Sequence, residues 1–344
     1  MNEHLKQSYP FLPSPVPVTK QDWNEDVPPL LSVRCKTYMH AAFIRKAIEG
    51  FLMQETTFKV EILIHDDAST DGTAEIVKEY ESKYPQLIKA TCQIENQYKK
   101  NPKTDKYIKP PASRGKYIAK CEGDDYWTDP LKLQVQVEFL EAHPDYSMSC
   151  GGFKIIDTNK GNKTRVVIKK ISSYSPDGFT FTLNDMTKQW LTKTLTVVYR
   201  KSAMDVSVLK KYKYRRDVHF NYHLIKSGKG YYHNRVFGVY HVHGGGIFSP
   251  VPKIEKADYH VKIYEELYEH NRDEFTRKTF LKAILIYFFH RIRYKPQNKQ
   301  PHELKKLFRQ FCKLLKVSSD IPFMFVGLLR LTGLKKRSLD QPLL

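Results

Sequence analysis

Glu122-Gly123-Asp124-Asp125-Tyr126-Trp127 decides how this chain is read. It follows Lys116-Tyr-Ile-Ala-Lys-Cys121, a short apolar run that reads as a buried strand, and precedes the turn signal Thr128-Asp129-Pro130. Three carboxylates around one glycine repel one another and raise one another's pKa. A divalent cation removes that cost, because carboxylate oxygens are what a hard cation takes. Acidic residues capping a following helix would explain the same stretch without an ion.

The chain upstream favours the first reading. Leu30–Lys36 predicts a strand, Thr37-Tyr38-Met39-His40 a turn, and residues 42–54 a helix with Phe43, Ala47, Ile48, Phe51 and Leu52 at helical spacing. Val60–His65 predicts a second buried strand, then comes Asp66-Asp67-Ala68-Ser69-Thr70-Asp71-Gly72-Thr73, then a helix over 74–83. Ser69 or Thr70 is expected to cap that helix. Strand, helix, strand, helix is the rhythm of a parallel sheet with crossovers, and such sheets bind ligands beyond the carboxyl ends of their strands. The Thr37-Tyr38, Asp66-Asp67 and Glu122–Asp125 loops therefore converge on one edge. Acidic clusters there suit a metal-assisted reaction on a phosphorylated ligand.

Downstream, residues 94–115 are polar and basic and read either as a solvated loop or as a cover bringing a lysine to phosphates. A helix is predicted over 129–143, a strand over 147–156, and a Lys- and Ser-rich connection over 157–175. Then follow a helix over 183–190, a strand over 194–200, a helix from Arg216-Asp217 to Gly228, and a strand from Gly230. That strand runs into His241-Val-His243-Gly-Gly-Gly246. Two histidines at i, i+2 on a strand face the same way. One could reach a metal or phosphate, or be a buried turn histidine.

The 344 residues carry 57 Lys+Arg against 37 Asp+Glu, a net charge of +20, which points to an anionic partner. No helix-turn-helix, zinc or RNA-binding signature accompanies the charge, so nucleic acid is not the expected partner. Five scattered cysteines without C-x-x-C spacing read as reduced core residues. Neither a signal peptide nor an apolar run of spanning length is apparent, so a cytoplasmic location is expected.

In order and spacing, Thr37-Tyr38, Asp66-Asp67-Ala-Ser-Thr-Asp-Gly-Thr and Glu122-Gly-Asp-Asp-Tyr-Trp resemble the inverting glycosyltransferase family 2, over roughly residues 30–250. The run Glu122-Gly-Asp-Asp-Tyr-Trp-x-Asp-Pro-Leu-Lys-Leu-Gln134 is similar to bacterial transferases that build surface glycans. The resemblance implies an α/β GT-A fold: a Rossmann-like, mostly parallel central sheet flanked by helices. It also implies roles. Thr37, Tyr38 and Asp67 would hold the nucleoside, and Glu122 and Asp124 would fill the D-x-D motif. Asp124 and His243 would bind Mn2+ or Mg2+, Asp217 would be the catalytic base, and Trp190 and Thr194 would line the acceptor pocket. The sequence departs from the family at Lys36-Thr-Tyr-Met39, where Pro-Thr-Tyr-Asn is usual, and it lacks the Ala-Arg-Asn segment before the motif. Arg114 or a neighbouring lysine is a candidate substitute there.

Residues 1–29 are proline-rich and read as an extended arm, 30–252 as the transferase domain, and 253–344 as a basic helical appendage. Ile254–Arg293 reads as one or two helices. Leu304–Lys316 is a basic amphipathic helix, and a short apolar helix follows from Ile321. The last sixty residues carry about half of the net charge. Such helices suit an anionic bilayer on its cytoplasmic side, or packing on the transferase domain or a second subunit. The expected activity is metal-dependent transfer from a nucleotide-sugar, UDP-linked, to a glycan or lipid-linked oligosaccharide. The alternative is a catalytically silent GT-A scaffold that binds a glycan or a partner enzyme.

Overall fold

The computed structural model describes residues 9–100, 112–171, 175–246 and 251–294. Twelve strands occur among them. The first six are β1 (Val16–Pro17), β2 (Leu31–Thr37), β3 (Glu55–Thr56), β4 (Val60–Asp66), β5 (Ile88–Cys92) and β6 (Tyr117–Glu122). The rest are β7 (Tyr126–Trp127), β8 (Tyr146–Asp157), β9 (Lys163–Val167), β10 (Gly178–Phe181), β11 (Val198–Arg200) and β12 (Lys229–Val242).

The main sheet runs β10-β12-β8-β11-β6-β2-β4-β5. β6, β2, β4 and β5 are mutually parallel, with Thr37 opposite Asp66 and Lys36 opposite Glu122. Their carboxyl ends therefore share one edge, as the strand–helix rhythm predicts. β11 is antiparallel to both β6 and β8, whereas β12 runs parallel to β8 with register shifts. All seven residues of β4 are buried, as expected for a strand covered on both faces.

The helix Ile44–Leu52 buries Ile44, Ala47, Ile48, Phe51 and Leu52. They join a core that includes Val33, Cys35, Ile62, Ile64, Ala119 and Cys121. Phe51 packs edge-on against Trp127, with ring centroids 4.8 Å apart. Trp127 is a packing residue. Its indole N–H donates to the Leu195 carbonyl at 2.7 Å, and β7 pairs with β12 through Trp127–Gly238 and Tyr126–Val239. That pairing brings the end of β12 beside the acidic turn.

Several local expectations need correction. The proline-rich arm joins the fold: β1 pairs with β3, and Val18 is buried. The 157–175 connection contains β9, which pairs with β8. The strand expected over 194–200 is a 3-10 turn, Thr194–Thr196, followed by β11. Neither Ser69 nor Thr70 caps the helix Thr73–Lys83, whose N-cap is Gly72 at φ 94°. Arg114 is at the amino-terminal end of β6, away from the site edge. Its Nε and backbone N–H both donate to Glu61, at 2.8 and 2.7 Å.

Two compact units emerge. Among the described residues, one draws on the segments within 1–182, 191–210 and 220–244, and the other on those within 183–190, 211–219 and 245–294. In the second, the helices Lys253–Glu269 and Glu274–Tyr294 pack together through Tyr264, Phe280 and Tyr287, and Leu183–Lys188 packs on the latter helix. No helix among the described residues is long and apolar enough to cross a membrane. The basic segment Leu304–Lys316 and the apolar one after it lie outside the described residues.

Candidate active site

The first unit builds a polar site from three loops at the carboxyl ends of β2, β4 and β6. Two of these loops are laced together. Consecutive backbone N–H groups of the first loop donate to side chains of the second: Met39 to Ser69 Oγ at 2.8 Å, His40 to Thr73 Oγ1 at 2.9 Å, and Ala41 to Asp71 Oδ2 at 3.0 Å. The Ser-Thr-Asp-Gly-Thr run therefore holds a neighbouring loop instead of capping its own helix through Ser69 or Thr70. Asp71 also accepts from the Thr73 hydroxyl and N–H. Burial pushes its carboxyl up, but these bonds outweigh it and hold Asp71 below the usual carboxylate range.

Asp66 and Asp67 are both buried. Asp66 accepts the Ser69 N–H at 2.9 Å and the Ser69 hydroxyl at 2.5 Å. Asp67 accepts the N–H groups of Gln97 and Tyr98, at 2.8 and 3.1 Å, at the start of the short helix Gln97–Lys100. Thr37 is buried and Tyr38 half-buried beside them.

The acidic turn follows β6. Glu122 is exposed, Asp124 half-buried and Asp125 buried. Asp125 Oδ1 accepts the His241 N–H at 3.0 Å. Burial, then the neighbouring Asp124, pushes the Asp125 carboxyl well above its ordinary value, while Lys193 acts against them. Asp124 receives both histidines of the Tyr-His-Val-His run. His241 Nδ1 lies 2.8 Å from its carbonyl oxygen, and His243 Nε2 lies 3.1 Å from Oδ2. Both rings also contact Phe43. The i, i+2 spacing thus brings both to one side, as expected.

His40 was not singled out by the sequence. Its Nε2 lies 3.8 Å from Asp124 Oδ2, and its Nδ1 is buried without a hydrogen-bond partner. The buried Thr37 Oγ1 also lacks one. Both face Gly123, where a Cβ would fall 2.5 Å from Thr37 Oγ1 and 3.0 Å from His40 Nδ1, so glycine is needed for space. Burial, outweighing the opposing pull of Asp124, lowers the His40 pKa and keeps the ring neutral.

His40, Asp124 and His243 each offer one ligand atom, all within 4.8 Å of one another, and Glu122, Asp124 and Asp125 form a second such group. Bonds of about 2.1 Å hold ligand atoms up to about 4.2 Å apart, so either group fits one divalent cation after small side-chain adjustments.

The profile of glycosyl transferase family 2 matches residues 32–213, more than half of the chain. The chain belongs to glycosyl transferase family 2. A Mycobacterium tuberculosis relative, "Uncharacterized protein Rv1520", is 42% identical over 126 residues, covering 37% of this chain and 36% of its own. The Escherichia coli protein "UDP-Glc:alpha-D-GlcNAc-diphosphoundecaprenol beta-1,3-glucosyltransferase WfaP" is 32% identical over 114 residues, covering 33% of this chain and 42% of its own. In both, the match spans less than half of the relative's length. The S. aureus TarS 1–349 structure with UDP-GlcNAc superposes with a TM-score of 0.59 at 15% identity, over 83% of this chain and 81% of that 1–349 chain. This likeness establishes the GT-A-type fold of the family 2 member.

The remaining predicted residues fall in both units. Thr194 opens the 3-10 turn in the first unit and is half-buried. Trp190 and Asp217 belong to the second. Asp217 begins the helix Asp217–Ser227, and the segment leading to it is held by Glu266, whose carboxylate accepts the N–H groups of Lys213 and Tyr214 at 2.7 and 3.0 Å.

Proposed function

We propose that this chain is a metal-dependent inverting glycosyltransferase. It moves a sugar from a nucleotide-sugar, UDP-linked, to a hydroxyl of a glycan or lipid-linked oligosaccharide in surface polysaccharide biosynthesis. The observation that carries the reading is Asp124, flanked by His243 and His40 at the sheet edge where Thr37 and Asp67 also lie. Family membership and the donor and acceptor in the name of the E. coli relative support it.

In this reading Thr37, Tyr38 and Asp67 hold the nucleoside. Glu122 and Asp124 complete the diphosphate end, and Trp190 and Thr194 line the acceptor site. A bound Mn2+ or Mg2+ would offset the charge that gathers on the leaving diphosphate. Asp217 takes the proton from the acceptor hydroxyl. The acceptor oxygen bonds to the anomeric carbon from the side opposite the diphosphate, whose bond to that carbon breaks and leaves with its electron pair. Configuration at the carbon inverts. The basic C-terminal segments would hold the enzyme to the anionic cytoplasmic face of a membrane, near a lipid-linked acceptor.

A donor screen tests this: UDP-, GDP- and TDP-sugars, with and without Mn2+, read by release of nucleoside diphosphate and by thermal protection. A UDP-sugar turned over only with the cation is expected. If Asp124→Ala and Asp217→Asn leave turnover unchanged, the catalytic reading fails. If no donor is turned over or protects, the chain is a silent scaffold.

A further inference from the structure

We propose that His40 completes a two-histidine, one-carboxylate metal site with Asp124 and His243, and that this site selects Mn2+ and the later first-row cations over Mg2+. The proposal rests on the reading that Asp124 holds the metal.

Two observations support it. First, His40 Nε2 approaches the same carboxylate oxygen, Asp124 Oδ2, that His243 Nε2 approaches, at 3.8 and 3.1 Å. At 3.8 Å the His40 contact is too long for a hydrogen bond. It is a natural separation for two ligands of one ion. Second, the ring is positioned from outside its own loop. The His40 N–H is held by Thr73, and the N–H groups on either side are held by Ser69 and Asp71. Gly123 leaves the space into which the ring projects.

The competing all-oxygen group shares Asp124 but is less available. Asp125 is buried, and one of its oxygens already accepts the His241 N–H. Committing Asp125 leaves the imidazole pair as the better-prepared partners of Asp124. Ligand type then sets the preference. Imidazole nitrogen suits first-row transition cations, and affinity rises from Mn2+ towards Cu2+. Mg2+ prefers oxygen, keeps several waters and dehydrates reluctantly.

The test is metal binding by the full chain without nucleotide. Free Mn2+ is followed by electron paramagnetic resonance, Mg2+ and Co2+ binding by calorimetry, and nitrogen ligands by the 14N modulation of bound Mn2+. The wild type should bind Mn2+ about tenfold or more tighter than Mg2+ and show two imidazole nitrogens. His40→Gln should lose about tenfold in Mn2+ affinity, show one nitrogen, and hold its Mg2+ affinity within about twofold. His40→Asn replaces it if the Gln variant does not fold, as judged by circular dichroism. The proposal is overturned if His40→Gln retains the wild-type Mn2+ affinity and both nitrogens. If Asp124→Ala also retains them, it is the Asp124 metal reading that fails; if only Asp124→Ala loses them, His40 alone is excluded.

Discussion

Asp67 Oδ1 accepts the backbone N–H of Gln97 at 2.8 Å, and Oδ2 that of Tyr98 at 3.1 Å. The carboxylate assigned by resemblance to the donor's base thus also fixes the start of the helix Gln97–Lys100. If Asp67 holds the base, both roles draw on the same oxygens, and nucleotide binding would be coupled to the order of this helix. Hydrogen bonds to a charged acceptor contribute about 1.5–3 kcal/mol each. Asp67→Ala should speed hydrogen exchange at the Gln97 and Tyr98 amides and weaken UDP binding about tenfold or more. Faster exchange with unchanged UDP affinity would mean that Asp67 is a capping residue alone.

What the sequence made legible follows the range of the interactions involved. The acidic turn was readable because its carboxylates are adjacent in the chain. The converging loops were readable because parallel strands must end on one edge. His40 was not, because its position depends on hydrogen bonds to Ser69, Thr73 and Asp71 and on space at Gly123. The cap on Asp67 was hidden for a related reason: a helix of four residues leaves no periodic signal. Nor could local pattern group Leu183–Trp190 and Lys211–His219 with the chain beyond residue 244. The departure at position 39, by contrast, was visible in sequence and gains its meaning from the backbone.

Met39 has φ 56°, the left-handed region that asparagine tolerates better than methionine. That conformation costs a side-chain-bearing residue about 1–2 kcal/mol. The side chain is 43% exposed, and its sulfur makes only weak contacts with Thr70. Met39→Asn should therefore raise unfolding stability by about 1 kcal/mol in denaturant titration. A loss of stability would show that the sulfur contacts outweigh the backbone term.

Lys132 is fully buried, its Nζ has no hydrogen-bond partner, and it lies 4.2 Å from the Trp127 ring centroid. Burial lowers its pKa from 10.5 to about 7, against the pull of Cys121, Asp129 and Cys150. Between those values the unfolded chain binds the proton that the folded chain has released. Stability therefore rises with pH across this window, and the burial penalty is complete below about pH 7. Lys132→Met removes the penalty, offset in part by losing a cation–π contact of about 2 kcal/mol. The variant's advantage over wild type should be greatest near pH 7 and shrink towards pH 10.5. A difference that stays flat with pH would refute the lowered pKa.

Glu266 sits on the helix Lys253–Glu269 and gathers the segment that leads into Asp217. It accepts the N–H groups of Lys213 and Tyr214, and His219 Nε2 lies 3.4 Å from Oε2. The His219 ring in turn rests on Tyr212, with centroids 4.1 Å apart. If Asp217 is the base, this network sets where its carboxylate points. Removing the shared acceptor frees two amides, each bond contributing about 1.5–3 kcal/mol. Glu266→Ala should then lower kcat about tenfold or more while UDP affinity stays within about twofold, because the nucleoside residues are untouched. Glu266→Gln, which keeps one acceptor oxygen, should recover part of that loss. A fall in melting temperature with kcat unchanged would make Glu266 a structural anchor and weaken the assignment of Asp217.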